Sequence, residues 1–188
     1  MHIYDKALDY LKKSIEVCQE VSDKETAAHA LNNIGLVYYK TGDNDSALHF
    51  LNRAFKIYEK ISDKLGRNTL INIGSVFRAK CEYEQAEHYF EKSLYIEKGF
   101  RSKHYELFLK TKLYLSYKQV KKGYDESEIH RLVKVVEDID FEMNFDLYEL
   151  LDDTAYLKTA YMQVQDRASE MEKELGRRFL GYQLPKAI

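Results

Sequence analysis

Apolar residues recur at intervals of three and four along most of this chain, the spacing that gathers them on one face of an α-helix. Leu31, Ile34, Gly35 and Tyr38 share such a face, as do Leu70, Ile73, Gly74 and Phe77. Beyond Lys40-Thr41-Gly42-Asp43 a further stripe runs through Ala47, Leu51 and Ala54, and its later counterpart is Ala86, Phe90 and Ser93. The pattern predicts pairs of amphipathic helices. Gly42 is expected to end the first helix of a pair, and Asn44 or Asp45 to cap the second.

The pairs repeat. Ala7, Ala47 and Ala86 fall 40 and 39 residues apart, and Gly35 and Gly74 are 39 apart. The connector Val21-Ser22-Asp23-Lys24 returns as Ile61-Ser62-Asp63-Lys64. Glycine inside a helix costs about 1 kcal/mol relative to alanine. Its return at one register implies that a side chain there would block the neighbouring helix.

The series Leu31-x-x-Ile34-Gly35-x-x-Tyr38 followed by Ala47, Leu51 and Ala54 resembles the tetratricopeptide repeat. So does Leu70-x-x-Ile73-Gly74-x-x-Phe77 followed by Ala86, Phe90 and Ser93. Leucine stands where the family often has tryptophan. The period near 40 is similar to the long repeats of bacterial peptide-pheromone receptors and of animal polarity and motor adaptors. The resemblance implies an all-α fold, a right-handed superhelix or solenoid of antiparallel helix pairs, with no enzymatic activity and no cofactor of its own.

By this reading, residues 1–140 form the repeat array. A half repeat occupies 1–21, and full repeats lie at about 28–61, 67–98 and 105–137. In the third, Leu115-Ser116 stands for the Ile-Gly pair, Gly123 for the turn, and Leu132 and Val135 for the core of the second helix. The opening helix has no first-helix partner within the sequence, which leaves one side of Ile3, Tyr4, Leu8, Leu11 and Ile15 uncovered and suggests a piece of a longer protein. Residues 141–188 form a C-terminal helical segment. Leu147, Leu150, Thr154, Leu157, Tyr161, Val164, Ala168, Met171 and Leu175 follow a heptad-like seam. Two readings stay open: a degenerate repeat of two helices broken near Gln163–Arg167, or one long capping or dimerisation helix. The run from Glu174-Leu175 through Phe179 to Leu184-Pro185 is similar to the helix leading into the output domain of some bacterial phosphatases or nucleotide cyclases.

Composition adds little chemistry. The 188 residues include one proline and eight glycines, too few breakers for a strand-and-turn architecture. A net charge of −2 offers no field for nucleic acid. No run of 18 apolar residues spans a membrane, and no signal peptide opens the chain, so a cytoplasmic protein is expected. Cys18 and Cys81 form no CxxC pair. His2, His29, His49, His88, His104 and His130 show no metal-binding spacing, and no phosphate loop occurs. The acidic cluster Glu137, Asp138, Asp140 and Glu142 has no calcium-loop glycine. No metal, cofactor or catalytic group is therefore expected.

What remains is a binding surface. A second stripe on each first helix runs through His29, Asn33, Leu36 and Lys40, then Asn68, Asn72, Ser75 and Ala79, then Lys110, Tyr114, Tyr117 and Lys121. First helices line the hollow side of such arrays, so the stripes are expected to form one groove, with Tyr39 and Arg78 beside it. In the family, asparagine at the register of Asn33 and Asn72 often hydrogen-bonds the backbone of an extended peptide. A carboxamide both donates and accepts, which suits that task. The expected partner is a protein or peptide segment, with an acidic or C-terminal one suggested by the lysines. The alternative is a homodimer formed through the heptad seam or the uncovered first helix.

Overall fold

The computed structural model describes residues 2–97 and 102–171, which divide between Lys122 and Gly123 into two compact units. The first unit contains α1 (His2–Glu20), α2 (Lys24–Lys40), α3 (Asn44–Ile61), α4 (Asp63–Ala79), α5 (Tyr83–Glu97) and α6 (Lys103–Gln119). Each helix packs on the next, and in addition α2 touches α4 and α4 touches α6. This is an all-α solenoid of helix pairs: α2 with α3, α4 with α5, and the first helices α2, α4 and α6 side by side.

The repeated small residues make the pairs fit. Leu31, Ile34, Ala47, Leu51 and Ala54 are buried in one pair, and Leu70, Ile73, Ala86, Phe90 and Ser93 in the next. A Cβ on Gly35 would come within 2.6 Å of Leu51 Cγ, and one on Gly74 within 2.7 Å of Phe90 Cε1. Both glycines are where a second helix presses on the first, as the repeat spacing predicts. Next to each contact lies an aromatic stack. Tyr38 lies over Phe50 with ring centroids 5.4 Å apart, and Phe77 lies over Tyr89 at 5.4 Å.

Four helix ends use one turn geometry. Ser22, Gly42, Cys81 and Lys121 have positive φ of 59°, 87°, 59° and 56°. After each, a backbone N–H reaches back to the last turn: Asp23 to Cys18, Asp43 to Tyr38, Glu82 to Phe77 and Lys122 to Tyr117, each at 2.9 Å. That bond satisfies a carbonyl the helix leaves open. Two sequence expectations need correcting. The left-handed residue after α6 is Lys121, not Gly123, because the turn starts as soon as the α6 ladder ends at Gln119. The cap of α3 is Asp43, not Asn44 or Asp45, since its carboxylate accepts from Ser46 N at 3.0 Å. That bond holds the Asp43 carboxyl below its usual range.

The second unit contains α7 (Glu126–Val133), α8 (Phe141–Leu151) and α9 (Thr154–Ser169). Helices α8 and α9 pack on one another, with Met143, Leu147 and Leu150 buried on α8 and Ala160, Val164 and Ala168 on α9. The Asn144 amide donates to Ile139 O and Gln163 Oε1, each at 3.0 Å, and Gln163 Nε2 donates to Ile139 O at 2.7 Å. The heptad seam is therefore not one helix. It breaks at Asp152–Asp153, rather than near Gln163–Arg167. Asp152 adopts φ 55° and its N–H bonds Tyr148 O, while the Asp153 carboxylate caps α9 through Ala155 N. Two aspartates thus end one helix and start another without glycine or proline. Val135, expected in a core, lies beyond the end of α7 and is 60% exposed. Leu175 and the stretch from Glu174 to Pro185 lie outside the described residues.

Candidate functional site

The first helices α2, α4 and α6 carry the residues that the sequence singles out for binding. On α2, Asn33 and Lys40 are exposed, and Leu36 and Tyr39 are half-buried. Tyr39 packs on the cluster of Ala47, Leu51, Ile73 and Val76. His29 is exposed and turns toward α3, its ring meeting Tyr58 edge-on at 5.5 Å, with Glu25 at 3.8 Å on the other side. Its contacts lie along the helix pair rather than between first helices.

Between α2 and α4 stands a residue that the sequence reading did not single out. Asn32, not Asn33, joins the two helices: its Oδ1 accepts from Thr69 Oγ1 and from Asn72 Nδ2, each at 3.0 Å. One N–H of Asn72 is thereby committed, and its carboxamide is held in place against α2. The only sequence signal was the Asn32-Asn33 doublet, with Asn72 one repeat further on. Ser75 and Arg78 are half-buried further along α4.

Between α4 and α6 the Tyr105 hydroxyl donates to Asn68 Oδ1, and the Arg67 guanidinium lies 4.1 Å from the Tyr105 ring centroid. Lys110 faces Glu106 at 3.5 Å, so part of its charge is answered locally. Lys103 chiefly, aided by Lys110, holds the Glu106 carboxyl below its usual range. Tyr114 is only 9% exposed and stacks on Tyr117 at 5.7 Å. Tyr117 donates to Glu91 on α5 at 2.8 Å, and its hydroxyl is pushed up to about 12, first by burial and then by Glu91. Lys121 follows the end of α6 in the left-handed turn and is not on the helical stripe.

The surface thus carries carboxamides and aromatics on α2, α4 and α6, with Asn33 and Asn68 exposed. Its groups can donate and accept hydrogen bonds and can stack. Among the described residues no group of three His, Cys, Asp or Glu is placed to hold a metal ion. No described helix is long and apolar enough to cross a membrane.

Profiles of the tetratricopeptide repeat match residues 2–60 and residues 68–100, the stretches that supply α1 to α5. Those two stretches are tetratricopeptide repeats. Tetratricopeptide repeats in general mediate protein–protein interaction. Among solved structures, the fold is similar to the nearly identical TPR-like repeats of a Podosopora anserina protein described as a kinesin light chain. That likeness has a TM-score of 0.58 at 13% identity, over 95% of this chain and 84% of the other. A single-substitution form of the same repeats gives 0.60 at 12% identity, over 95% and 87%. Identity this low speaks for a shared tetratricopeptide fold alone. No curated protein matches the chain in sequence.

Proposed function

We propose that the face of α2, α4 and α6 holds an extended segment of another polypeptide, and that the chain serves as an adaptor or as the sensory input part of a bacterial signalling protein. The observation that carries this reading is the pairing of Asn32 with Asn72 next to Asn33. Asn33 is exposed and its side chain makes no hydrogen bond among the described residues, while its neighbour Asn32 is fixed between two helices. Fixed carboxamides can grip a peptide backbone whatever its side chains. Lys40 and Arg78 favour an acidic or C-terminal segment. Free Cys18 and Cys81 fit the reducing cytoplasm.

A display selection of extended peptides on the intact chain would test this reading. Selected peptides are expected to shift amide resonances along α2, α4 and α6, and Asn33→Ala is expected to weaken them. Shifts confined to α3 and α5 would contradict it. Self-association through the heptad seam loses its main support, because α8 and α9 divide that seam between them.

A further inference from the structure

A row of basic side chains runs along α3, on the side opposite Ala47, Leu51 and Ala54, which receive the first helix. His49, Arg53, Lys56 and Lys60 follow offsets of four, three and four, and all four are exposed. They form one line about 16 Å long. No ion pair engages Arg53, Lys56 or Lys60 among the described residues. The exposed acids of α3 itself are used elsewhere: Asp45 pairs with Lys80 at 2.9 Å and Glu59 with Lys92 at 3.6 Å. The Arg53 guanidinium lies 5.6 Å from the Phe50 ring centroid, and His49 meets the same ring edge-on. A guanidinium held over a ring keeps its N–H donors for a carboxylate.

The row is particular to α3. On α1 the same register holds Asp9, Lys13, Glu16 and Glu20, and on α5 the counterpart of Arg53 is Lys92, which Glu59 already answers. Both helices flank α3: Ile15 of α1 packs on the cluster of Ala54 and Tyr58, and Lys92 of α5 reaches Glu59. The basic row therefore lies within the array, with a helix on either side. Those flanking helices carry exposed Glu16, Glu20 and Glu91.

We propose that this row docks an acidic helix of a partner polypeptide, with carboxylates at the same offsets of four, three and four. The complementarity is narrow. A helix of equal periodicity keeps its carboxylates in step with the basic row over its full length. A nucleic-acid duplex or an anionic bilayer spreads phosphate well beyond one helix and would bring it against the flanking glutamates. The net charge of −2 adds no long-range pull toward either.

The probe is a fluorescein-labelled, alanine-based helical peptide with four glutamates at those offsets. It is titrated with the intact protein at low salt and followed by anisotropy. Saturable binding is expected, screened by added salt and weakened about tenfold or more by Arg53→Glu combined with Lys56→Glu. Lys134→Glu combined with Lys158→Glu changes the net charge equally, on the second unit, and is expected to leave binding nearly unchanged. All four side chains are exposed, so both double variants keep their fold, which circular dichroism verifies. A peptide of the same composition with its glutamates spread around the helix is expected to bind about tenfold less tightly. Asn33→Ala should have no effect, which separates this row from the peptide-binding face. Equal loss in both double variants, equal binding of both peptides, or no saturation up to millimolar protein would overturn the proposal. So would tighter binding to phosphatidylserine vesicles or a DNA duplex that Arg53→Glu with Lys56→Glu abolishes, since phosphate would then be the occupant.

Discussion

Gly35 and Leu51 lie so close that a methyl group on Gly35 would sit 2.6 Å from Leu51 Cγ and 3.2 Å from Ala47 O. Leu51 is fully buried and has little room to withdraw. Alanine would gain about 1 kcal/mol of helix propensity, but overpacking costs about 1–3 kcal/mol. Gly35→Ala is therefore expected to lower stability in urea unfolding despite the better helix former. Gly123→Ala, with nothing within 4 Å of its Cβ position, is the control and is expected to be neutral or slightly stabilising.

The left-handed turn after α4 is occupied by Cys81 at φ 59°, a conformation that costs a side-chain-bearing residue about 1–2 kcal/mol. Cys81→Gly removes that strain and loosens the unfolded chain in return. A net gain of about 0.5–1 kcal/mol in urea unfolding is expected. A loss would mean that the Cys81 side chain contributes more than its backbone costs.

Tyr58 is almost wholly buried, and burial, with Glu25 as a lesser cause, pushes its hydroxyl up from 10.0 to about 12. A folded value above the unfolded one means that the stabilisation is complete below about pH 10 and is lost as pH rises toward 12. Tyr117 acts in the same direction. Unfolding midpoints are expected to fall over that window, and less steeply in Tyr58→Phe.

Val164 is 3% exposed on α9, which packs on α8. A carboxylate there would be buried without a partner, at a cost of several kcal/mol. Val164→Asp is expected to reduce helical circular dichroism and thermal stability. A variant that stays fully folded but loses self-association would restore the seam as a contact between copies.

The repeat was legible in the sequence because each unit obeys the same steric rule: Gly35 and Gly74 mark the close contacts, and Ala47 and Ala86 the helices that approach them. Turn details were less legible. Glycine is the usual left-handed residue, yet Ser22, Cys81 and Lys121 adopt that conformation because the recurring backbone bond holds them there. The break at Asp152–Asp153 escaped notice for a similar reason: a left-handed aspartate and a capping aspartate interrupt no apolar periodicity. At the binding face, spacing could place Asn33 and Asn72 on first helices but could not show that Asn32 is the partner of Asn72. Nor could it show that Tyr114 is buried or that Lys110 faces Glu106. Those facts depend on side-chain direction between helices that are far apart in sequence.

The central claim is tested most directly by calorimetry of a selected extended peptide with wild-type protein and with Asn33→Ala. Asn33 is exposed, so the variant keeps its fold, while Asn32→Ala reports what loss of the helix-to-helix bond does. Loss of hydrogen bonds to the peptide backbone is expected to weaken binding by about 1–3 kcal/mol in Asn33→Ala. Unchanged affinity, with the peptide still bound, would contradict the account.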